Sequence, residues 1–121
     1  TSGNDLYVTG YTQSATAFPV LDPGGGAYYQ GTFPGNVDGF IARFTLAGVQ
    51  TWSTFYGGSG YDYGDQIAVD GNGNVFVMGD TDSPDLPTLN PGGGAYFQAS
   101  PAGSSDLFVL KFSVQYMVWL L

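Results

Sequence analysis

The chain of 121 residues contains no cysteine and no histidine. Without cysteine it forms no disulfide and offers no thiolate to a metal ion. Without histidine it lacks the commonest general base and the commonest ligand of transition metals, so no Ser-His-Asp or Cys-His mechanism can be built from this chain alone. Glutamate is also absent, and nothing distinguishes any pair of aspartates as an acid and a base for glycoside hydrolysis. We therefore expect that the chain is not an enzyme.

Positive charge is nearly absent as well. The only basic residues are Arg43 and Lys111, and the net charge is -8. Such a chain cannot neutralise phosphates, so nucleic acid is excluded as a partner, and an anionic membrane surface is disfavoured for the same reason.

Long hydrophobic runs are missing too. The most apolar run, residues 116–121, is far shorter than the ~20 residues that span a bilayer. The chain starts with Thr1 and shows no signal peptide, so we expect a processed or excerpted chain. Abundant Gly, Thr, Ser and Tyr with little Lys favour a secreted or surface-exposed protein.

What the chain does contain is a repeat. The ten residues Leu21–Gln30 return as Leu89–Gln98 with only two mild differences, Asp22 against Asn90 and Tyr29 against Phe97. A self-match at one fixed spacing indicates a repeat architecture.

The hydrophobic pattern is that of β-strands throughout. Apolar and aromatic residues alternate with polar ones or form short runs, and Asp70-Gly71-Asn72-Gly73 is a hairpin turn signal between two such runs. No stretch has a helical period, so the predicted fold class is all-β. Strands are predicted at Asp5–Gly10, Gly39–Phe44, Val49–Tyr56, Ile67–Asp70, Asn74–Gly79, Leu107–Phe112 and Val114–Leu121.

These strands divide into two units of a four-stranded antiparallel, propeller-type blade. Residues 64–121 hold one complete blade, and residues 1–63 hold a blade that lacks its first strand. Arg43 and Lys111 occupy the same position of the unit. Each either pairs with an Asp of a neighbouring strand or blade, or lies along the sheet with its charge in water.

Several ordered motifs resemble one known family. Ser53–Gly64 (STFYGGSGYDYG), followed by Ile67–Thr81 (IAVDGNGNVFVMGDT), resembles the SBBP-type beta-propeller repeat of bacterial and archaeal proteins. Asp38–Phe44 and Asp106–Phe112 are similar to the third strand of that repeat, so the resemblance covers nearly the whole chain. It implies propeller blades in secreted or surface proteins, and it implies no catalytic residues, because the family carries no single activity.

Two blades cannot close a propeller, which usually has about 4 to 8. The missing first strand would leave Leu6, Tyr7 and Val8 on an unpaired edge, and such an edge invites another strand. The sequence therefore predicts a structural or interaction module that is completed by other copies or by further blades of a longer chain, and that can extend into a fibre or a surface layer.

A carbohydrate-binding module is the alternative. The long connections at residues 13–37 and 81–105 should meet the loop at residues 57–64 at one end of the blades. Aromatic rings stack on sugars and carboxylates accept hydroxyl hydrogen bonds. Packing of the loops against the sheets explains the same rings and is favoured by their recurrence in both copies. The candidate ligand-binding residues are Tyr28, Tyr61, Asp62, Tyr63, Asp65 and Tyr96.

No cofactor is expected, and calcium is the only metal with any sequence signal. Asp70–Asn74 spaces oxygens like the start of a calcium loop, but Val75 stands where that loop needs glycine, so a hairpin turn is favoured. Asp80, Asp82 and Asp85 form a second weak calcium candidate, for which capping of a turn is the competing interpretation.

Overall fold

In the computed structural model, residue 3, residues 5–112 and residues 118–120 are described, and this part of the chain holds seven β-strands and no helix. Accordingly, no helix there has the length and apolar character needed to cross a membrane. The strands are β1 (Asp5–Thr12), β2 (Asp38–Thr45), β3 (Gln50–Tyr56), β4 (Asp62–Val69), β5 (Val75–Thr81), β6 (Asp106–Phe112) and β7 (Val118–Leu120).

The strands form two antiparallel sheets that follow the chain order. The first sheet has the order β1-β2-β3, and the second has the order β4-β5-β6-β7, in which β7 joins β6 through three residue pairs. The all-β, antiparallel prediction is confirmed. Of the predicted last strand, residues 114–117 and 121 lie outside the described residues.

One strand begins earlier than the sequence pattern indicated. β4 starts at Asp62, whereas the predicted strand starts at Ile67. The segment before Ile67 is rich in glycine and polar residues and therefore has the composition of a loop. It still pairs, because Gly64 lies directly opposite Gly79 of β5 and the Tyr56 hydroxyl fills the space where a side chain on Gly64 would lie. A bulge between Gly64 and Gln66 then restores the alternation.

The two sheets stack face to face and share one hydrophobic core. β4 of the second sheet lies against β1 and β2 of the first. The rings of Tyr56 and Phe108 meet edge to face at 5.8 Å, and those of Trp52 and Phe112 meet at 5.6 Å. Buried core residues come from both sheets and from the loop after β5: Ile41, Trp52, Tyr56, Val75, Val77, Leu86, Phe108, Leu110 and Phe112.

The repeated Leu-Asp/Asn-Pro-Gly-Gly-Gly segment is a tight turn in both copies. Gly24, Gly25 and Gly26 have φ angles of 74°, 68° and 82°, and the three equivalent glycines of the second copy are likewise left-handed. A run of left-handed residues requires glycine. The preceding Asp22 accepts a hydrogen bond from the Gly24 N–H at 2.7 Å, and Asn90 accepts the same bond in the second copy at 2.8 Å. The side-chain oxygen needed here explains why Asp and Asn interchange.

The connection between β1 and β2 packs against the first sheet. Leu21 forms an antiparallel bridge with Ser53 of β3, and the Phe55 N–H donates to the Gln30 carbonyl. The rings of Phe18 and Phe33 cover Phe55 on the sheet face turned away from the second sheet. This long loop therefore occupies the edge of β3 and part of that face.

Candidate functional site

The connection between the two sheets, residues 57–61, lies beside the start of β2. Val37 and Tyr61 form a parallel bridge, and the Asp62 N–H donates to the Val37 carbonyl at 2.8 Å. The Asn36 N–H donates to the Gly60 carbonyl at 3.0 Å. The end of the first long loop and the sheet connection thus meet at one place, as the sequence predicted.

Acidic and hydroxyl side chains after β5 hold this connection in shape. Asp85 accepts hydrogen bonds from the N–H and the hydroxyl of Ser59, and these bonds lower its pKa. Asp82 accepts the Tyr61 N–H at 2.6 Å, and the Ser83 hydroxyl accepts the Gly60 N–H at 2.8 Å. Asp82 and Asp85, proposed from sequence as calcium ligands or turn caps, thus act as hydrogen-bond acceptors for the connection between the sheets.

Asp62 is fully buried rather than presented on a surface. Its carboxylate accepts hydrogen bonds from the Gly58 N–H at 2.8 Å and from the hydroxyls of Thr81 and Ser83 at 2.5 Å and 2.7 Å. Three donors on two oxygens satisfy the hydrogen-bonding capacity that this buried carboxylate needs. Asp62, the first residue of β4, therefore connects the segment before β4 to the end of β5.

Asp38, a residue that sequence reasoning did not single out, lies next to Asp62 and is also fully buried. Neither of its carboxylate oxygens has a hydrogen-bond partner. Burial and the neighbouring Asp62 charge raise the pKa of Asp38 to about 6, and the nearby Gly35 N–H opposes the rise. The sequence did contain one signal for it, since Asp106 stands at the equivalent repeat position.

The two tyrosines of the repeated loop lie in different surroundings. Tyr28 packs on Phe112 of the second sheet at 5.7 Å, and its carbonyl accepts the Trp52 Nε1–H at 2.9 Å. Burial raises the pKa of Tyr28 to about 12. Tyr96 is 67% exposed and borders a groove with Leu86 and Phe108. In both copies the tyrosine hydroxyl donates to the glutamine two residues later.

The remaining candidate ligand residues form a small aromatic group at the start of β4. Tyr61, which is 43% exposed, stacks on Tyr63 at 6.5 Å, and Tyr63 meets Tyr11 edge to face at 4.9 Å. Asp65 is exposed on the same strand. The structure therefore brings Tyr61 and Tyr63 together, whereas Asp62 and Tyr28 are used in packing and Tyr96 borders a separate groove.

The predicted assembly edge, Leu6, Tyr7 and Val8, lies on β1, which is an edge strand of the first sheet within the described residues. Leu6 and Val8 are exposed on the face turned away from the second sheet. Tyr7 points to the other face, where it is half-buried and Arg43 lies 5.9 Å from its ring centre.

The two basic residues have different partners. Arg43 donates two hydrogen bonds to Asp5 on the adjacent strand, at 3.1 Å and 2.6 Å. Lys111 lies 5.8 Å from the Phe76 ring centre on the outer side of the second sheet. The first therefore pairs with a neighbouring strand, and the second lies along the sheet.

The calcium-like motif at Asp70 is a hairpin turn. The Asp70 carboxylate accepts hydrogen bonds from the Asn72 and Asn74 N–H groups at 2.8 Å and from the Asn74 side chain at 2.6 Å. The side-chain bond from Asn74 is the main cause of its lowered pKa. Over residue 3, residues 5–112 and residues 118–120, no three acidic side chains group closely enough to hold a metal ion. Asp80 belongs to no such group.

A comparison with protein families identifies one repeat in the chain. Residues 51–87 match the family model of the SBBP beta-propeller repeat. The match covers β3, the connection between the sheets, β4, β5 and the first residues of the following loop. The resemblance stated from the motifs is thereby confirmed for this stretch. A search of the curated proteins gives no match to this chain.

Proposed function

We propose that this chain, which carries an SBBP beta-propeller repeat at residues 51–87, is a structural and interaction module completed by further blades or by other copies of itself. In this proposal the second sheet is a four-stranded blade, and the first sheet is a blade without its first strand. Assembly leads to a ring, a fibre or a surface layer, and the role is not catalytic. The composition supports an extracellular or cell-surface location.

The observation that carries the proposal is a correspondence between residues of the two repeats. The residues on the outer face of each sheet are equivalent to residues of the other sheet that are buried between the two sheets. Tyr7–Thr12 of β1 (YVTGYT) corresponds to Phe76–Thr81 of β5 (FVMGDT), so Leu6 and Val8 correspond to Val75 and Val77. Val75 and Val77 are 2% and 0% exposed between the sheets, whereas Leu6 and Val8 are 43% and 36% exposed. We call the face of the first sheet with Leu6, Val8, Phe40 and Phe44 the front face.

The outer side of the second sheet also corresponds to a buried face, in this case the face of the first sheet that packs on the second sheet. Val109 corresponds to Ile41, which is buried in the core, and Lys111 corresponds to Arg43. Val109 borders a shallow apolar depression together with Phe76 and Met78. We call this side, with Phe76, Met78, Leu107, Val109 and Lys111, the rear face.

The two faces therefore have the patterns of the two sides of the interface already present inside the chain. The rear face of the second sheet has the same residue pattern as the face of the first sheet that packs on the second sheet. The front face of the first sheet has the same residue pattern as the face of the second sheet that packs on the first sheet. A contact between the front face of one copy and the rear face of the next is heterologous, so it propagates until a ring closes or a fibre grows.

Two single-face variants test this arrangement. In Val8→Asp a charge blocks the front face, and in Val109→Asp a charge blocks the rear face, while each variant keeps the other face intact. We expect wild-type protein to form larger assemblies as concentration rises, each variant alone to remain monomeric, and an equimolar mixture of the two to form a 1:1 dimer in sedimentation velocity.

The matched control is Leu46→Asp, which places the same charge on an exposed residue of the turn between β2 and β3 and should assemble like wild type. Circular dichroism checks that every variant keeps its strands. A wild-type chain that stays monomeric at the highest soluble concentration would contradict the assembly proposal, and so would variants that assemble as well alone as they do together.

The carbohydrate-binding alternative has less support. A sugar site needs carboxylates and rings on one accessible surface. Asp62 is buried with its acceptors occupied by Gly58, Thr81 and Ser83, and Tyr28 packs between the sheets. Of the predicted ligand-binding residues, Tyr63 and Asp65 of β4 and Tyr61, directly before β4, are the ones left near one another in the sequence at an accessible place.

A further inference from the structure

Asp38, at the first residue of β2, is a buried carboxylate among other oxygens. It is 0% exposed, and neither of its oxygens has a hydrogen-bond partner, the Gly35 N–H being the nearby donor. A buried ionised carboxylate without a partner is costly, because the protein interior replaces none of the hydration that the charge loses. Something other than the hydrogen bonds of the described residues must therefore compensate this group.

The oxygens around Asp38 come from three segments of the chain. A Cβ built on Gly35 would lie 2.6 Å from the Gly60 carbonyl oxygen, 2.7 Å from the Gly58 carbonyl oxygen and 2.8 Å from Asp38 Oδ1. A Cβ built on Gly57 would lie 2.5 Å from Asp38 Oδ1 and 3.0 Å from Asp62 Oδ2. Asp38 Oδ1 is common to both sets, so the two carbonyl oxygens and the Asp62 carboxylate lie around it, and glycine at positions 35 and 57 lets the backbone approach this closely.

Among these oxygens, those of Asp38 have no hydrogen-bond partner, and the Asp62 charge next to them disfavours a second negative charge there. The carboxylate of Asp62 already accepts three hydrogen bonds. No Lys or Arg contributes, since Arg43 pairs with Asp5 and Lys111 lies on the outer side of the second sheet. The compensating charge is therefore either a proton on Asp38 or a bound cation.

We propose that Asp38 and Asp62, together with the carbonyl oxygens of Gly58 and Gly60, bind a calcium ion. The donor set consists of oxygen atoms alone, which suits a hard cation. Calcium accepts irregular arrangements of carboxylate and carbonyl oxygens, whereas magnesium demands near-octahedral geometry and keeps several waters. A site built from the protein's own carboxylate and carbonyl oxygens therefore favours calcium.

The second repeat shows what the same residue does without these neighbours. Asp106, the equivalent of Asp38, accepts hydrogen bonds from the Ala102 and Gly103 N–H groups at 2.7 Å and 3.1 Å. The difference is that Asp38 faces the connection leading into the next sheet. The proposed ion would therefore lie between the start of β2 in the first sheet and the start of β4 in the second, where it would tie consecutive blades together within one chain.

Calorimetric titration of EDTA-treated wild-type protein with CaCl2 tests the site directly. We expect 1:1 binding with a dissociation constant on the order of 10⁻⁴ M, the range of calcium sites in extracellular modules. At about 100 times that concentration the ion should raise Tm by on the order of 10 °C. No heat of binding and no change in Tm would overturn the proposal and leave the proton as the compensating charge.

Variants and a second salt make the result specific to this site. Asp38→Asn should abolish both the binding heat and the calcium-dependent rise in Tm, whereas the matched control Asp106→Asn should keep both. An Asp38→Asn protein that still responds to calcium, or an equal Tm rise in MgCl2, would overturn the proposal. Because all four ligands belong to one chain, the titration uses monomeric protein, and its outcome is independent of whether copies assemble.

Discussion

At the scale of single residues, Asp38 and Asp106 form a natural comparison. They occupy the same repeat position, but Asp38 is enclosed next to Asp62 and has no hydrogen-bond partner, whereas Asp106 accepts two backbone hydrogen bonds. A buried, unpartnered carboxyl group destabilises the folded chain far more when it is ionised than when it is protonated. In metal-free buffer the stability of this protein should therefore depend on pH through Asp38.

The pKa of Asp38 is about 6 in the folded chain and 3.8 in the reference state. Between these values the folded state binds more protons than the unfolded chain, so stability falls as pH rises through this window and is lowest above it. We expect the unfolding free energy in EDTA to be about 1.4 kcal/mol lower at pH 7.5 than at pH 5 because of this group. Urea unfolding at the two pH values measures the difference.

Asp38→Asn removes the titrating group and keeps its shape. This variant should be more stable than wild type at pH 7.5 and should lose most of the difference between pH 5 and pH 7.5. Asp106→Asn is the matched control and should keep the wild-type pH difference. If Asp38→Asn keeps it as well, Asp38 does not titrate in this window and its burial is compensated by another group.

The sequence could not have shown that Asp38 and Asp62 lie side by side. Asp is the only acidic residue type in the chain, so neither Asp38 nor Asp62 stands out by composition. Their proximity depends on the contact between residues 36–37 and 60–62, which joins two sheets. In contrast, the role of Asp70 was predictable, because its partners Asn72 and Asn74 are close in sequence.

At the scale of elements, the pairing of β4 with β5 depends on two facing glycines, Gly64 and Gly79. A side chain on Gly79 would collide with the Tyr63 backbone carbonyl and with the Phe108 ring. Backbone cannot move aside as a flexible side chain can. Gly79→Ala should therefore lower the unfolding free energy by about 3 kcal/mol through strain in the strand pair.

Gly71→Ala is the matched control for this substitution. Gly71 lies in the turn between the same two strands, a Cβ there meets nothing within 4 Å, and its φ angle is not left-handed. Replacing it should be neutral or slightly stabilising, because alanine restricts the unfolded chain. Equal losses of stability in the two variants, measured by urea unfolding, would mean that the close approach at Gly79 is relieved without cost.

These glycines also explain where strand prediction succeeded and where it did not. β2, β5 and β6 carry alternating or continuous apolar residues, and their predicted bounds lie within two residues of the observed ones. The first half of β4 carries Tyr63, Gly64 and Asp65, a composition typical of loops. It is a strand because of neighbours that are distant in sequence, which a local pattern does not contain.

At the scale of the whole molecule, the internal repeat predicted the number and order of the strands found in the described residues but not how the sheets stack. Which face of each sheet is buried follows from the contact of β4 with β1 and β2. The stacking of the sheets also places Phe112 of the second sheet against Tyr28 of the first loop. Tyr96, the equivalent of Tyr28 in the second loop, is exposed. The equivalent of Phe112 in the first sheet is Phe44, on the front face.

Substitutions of the two tyrosines therefore test stability and assembly separately. Tyr28→Ala removes a ring from the interface between the sheets, so it should lower the unfolding free energy of dilute, monomeric protein by about 2 kcal/mol. Tyr96→Ala should change that value by less than about 0.5 kcal/mol. It should instead weaken association at high concentration, because the Tyr96 ring would pack on Phe44 of the next copy as Tyr28 packs on Phe112.

Tyr28→Phe and Tyr96→Phe serve as the controls, since they keep the ring and remove only the hydroxyl bond to the following glutamine. Urea unfolding at low concentration and sedimentation velocity at high concentration measure the two effects on the same preparations. If Tyr96→Ala destabilises the dilute chain as much as Tyr28→Ala does, the second loop is part of the monomer's own core. The proposal that copies contact one another as the two sheets of one chain do would then be wrong.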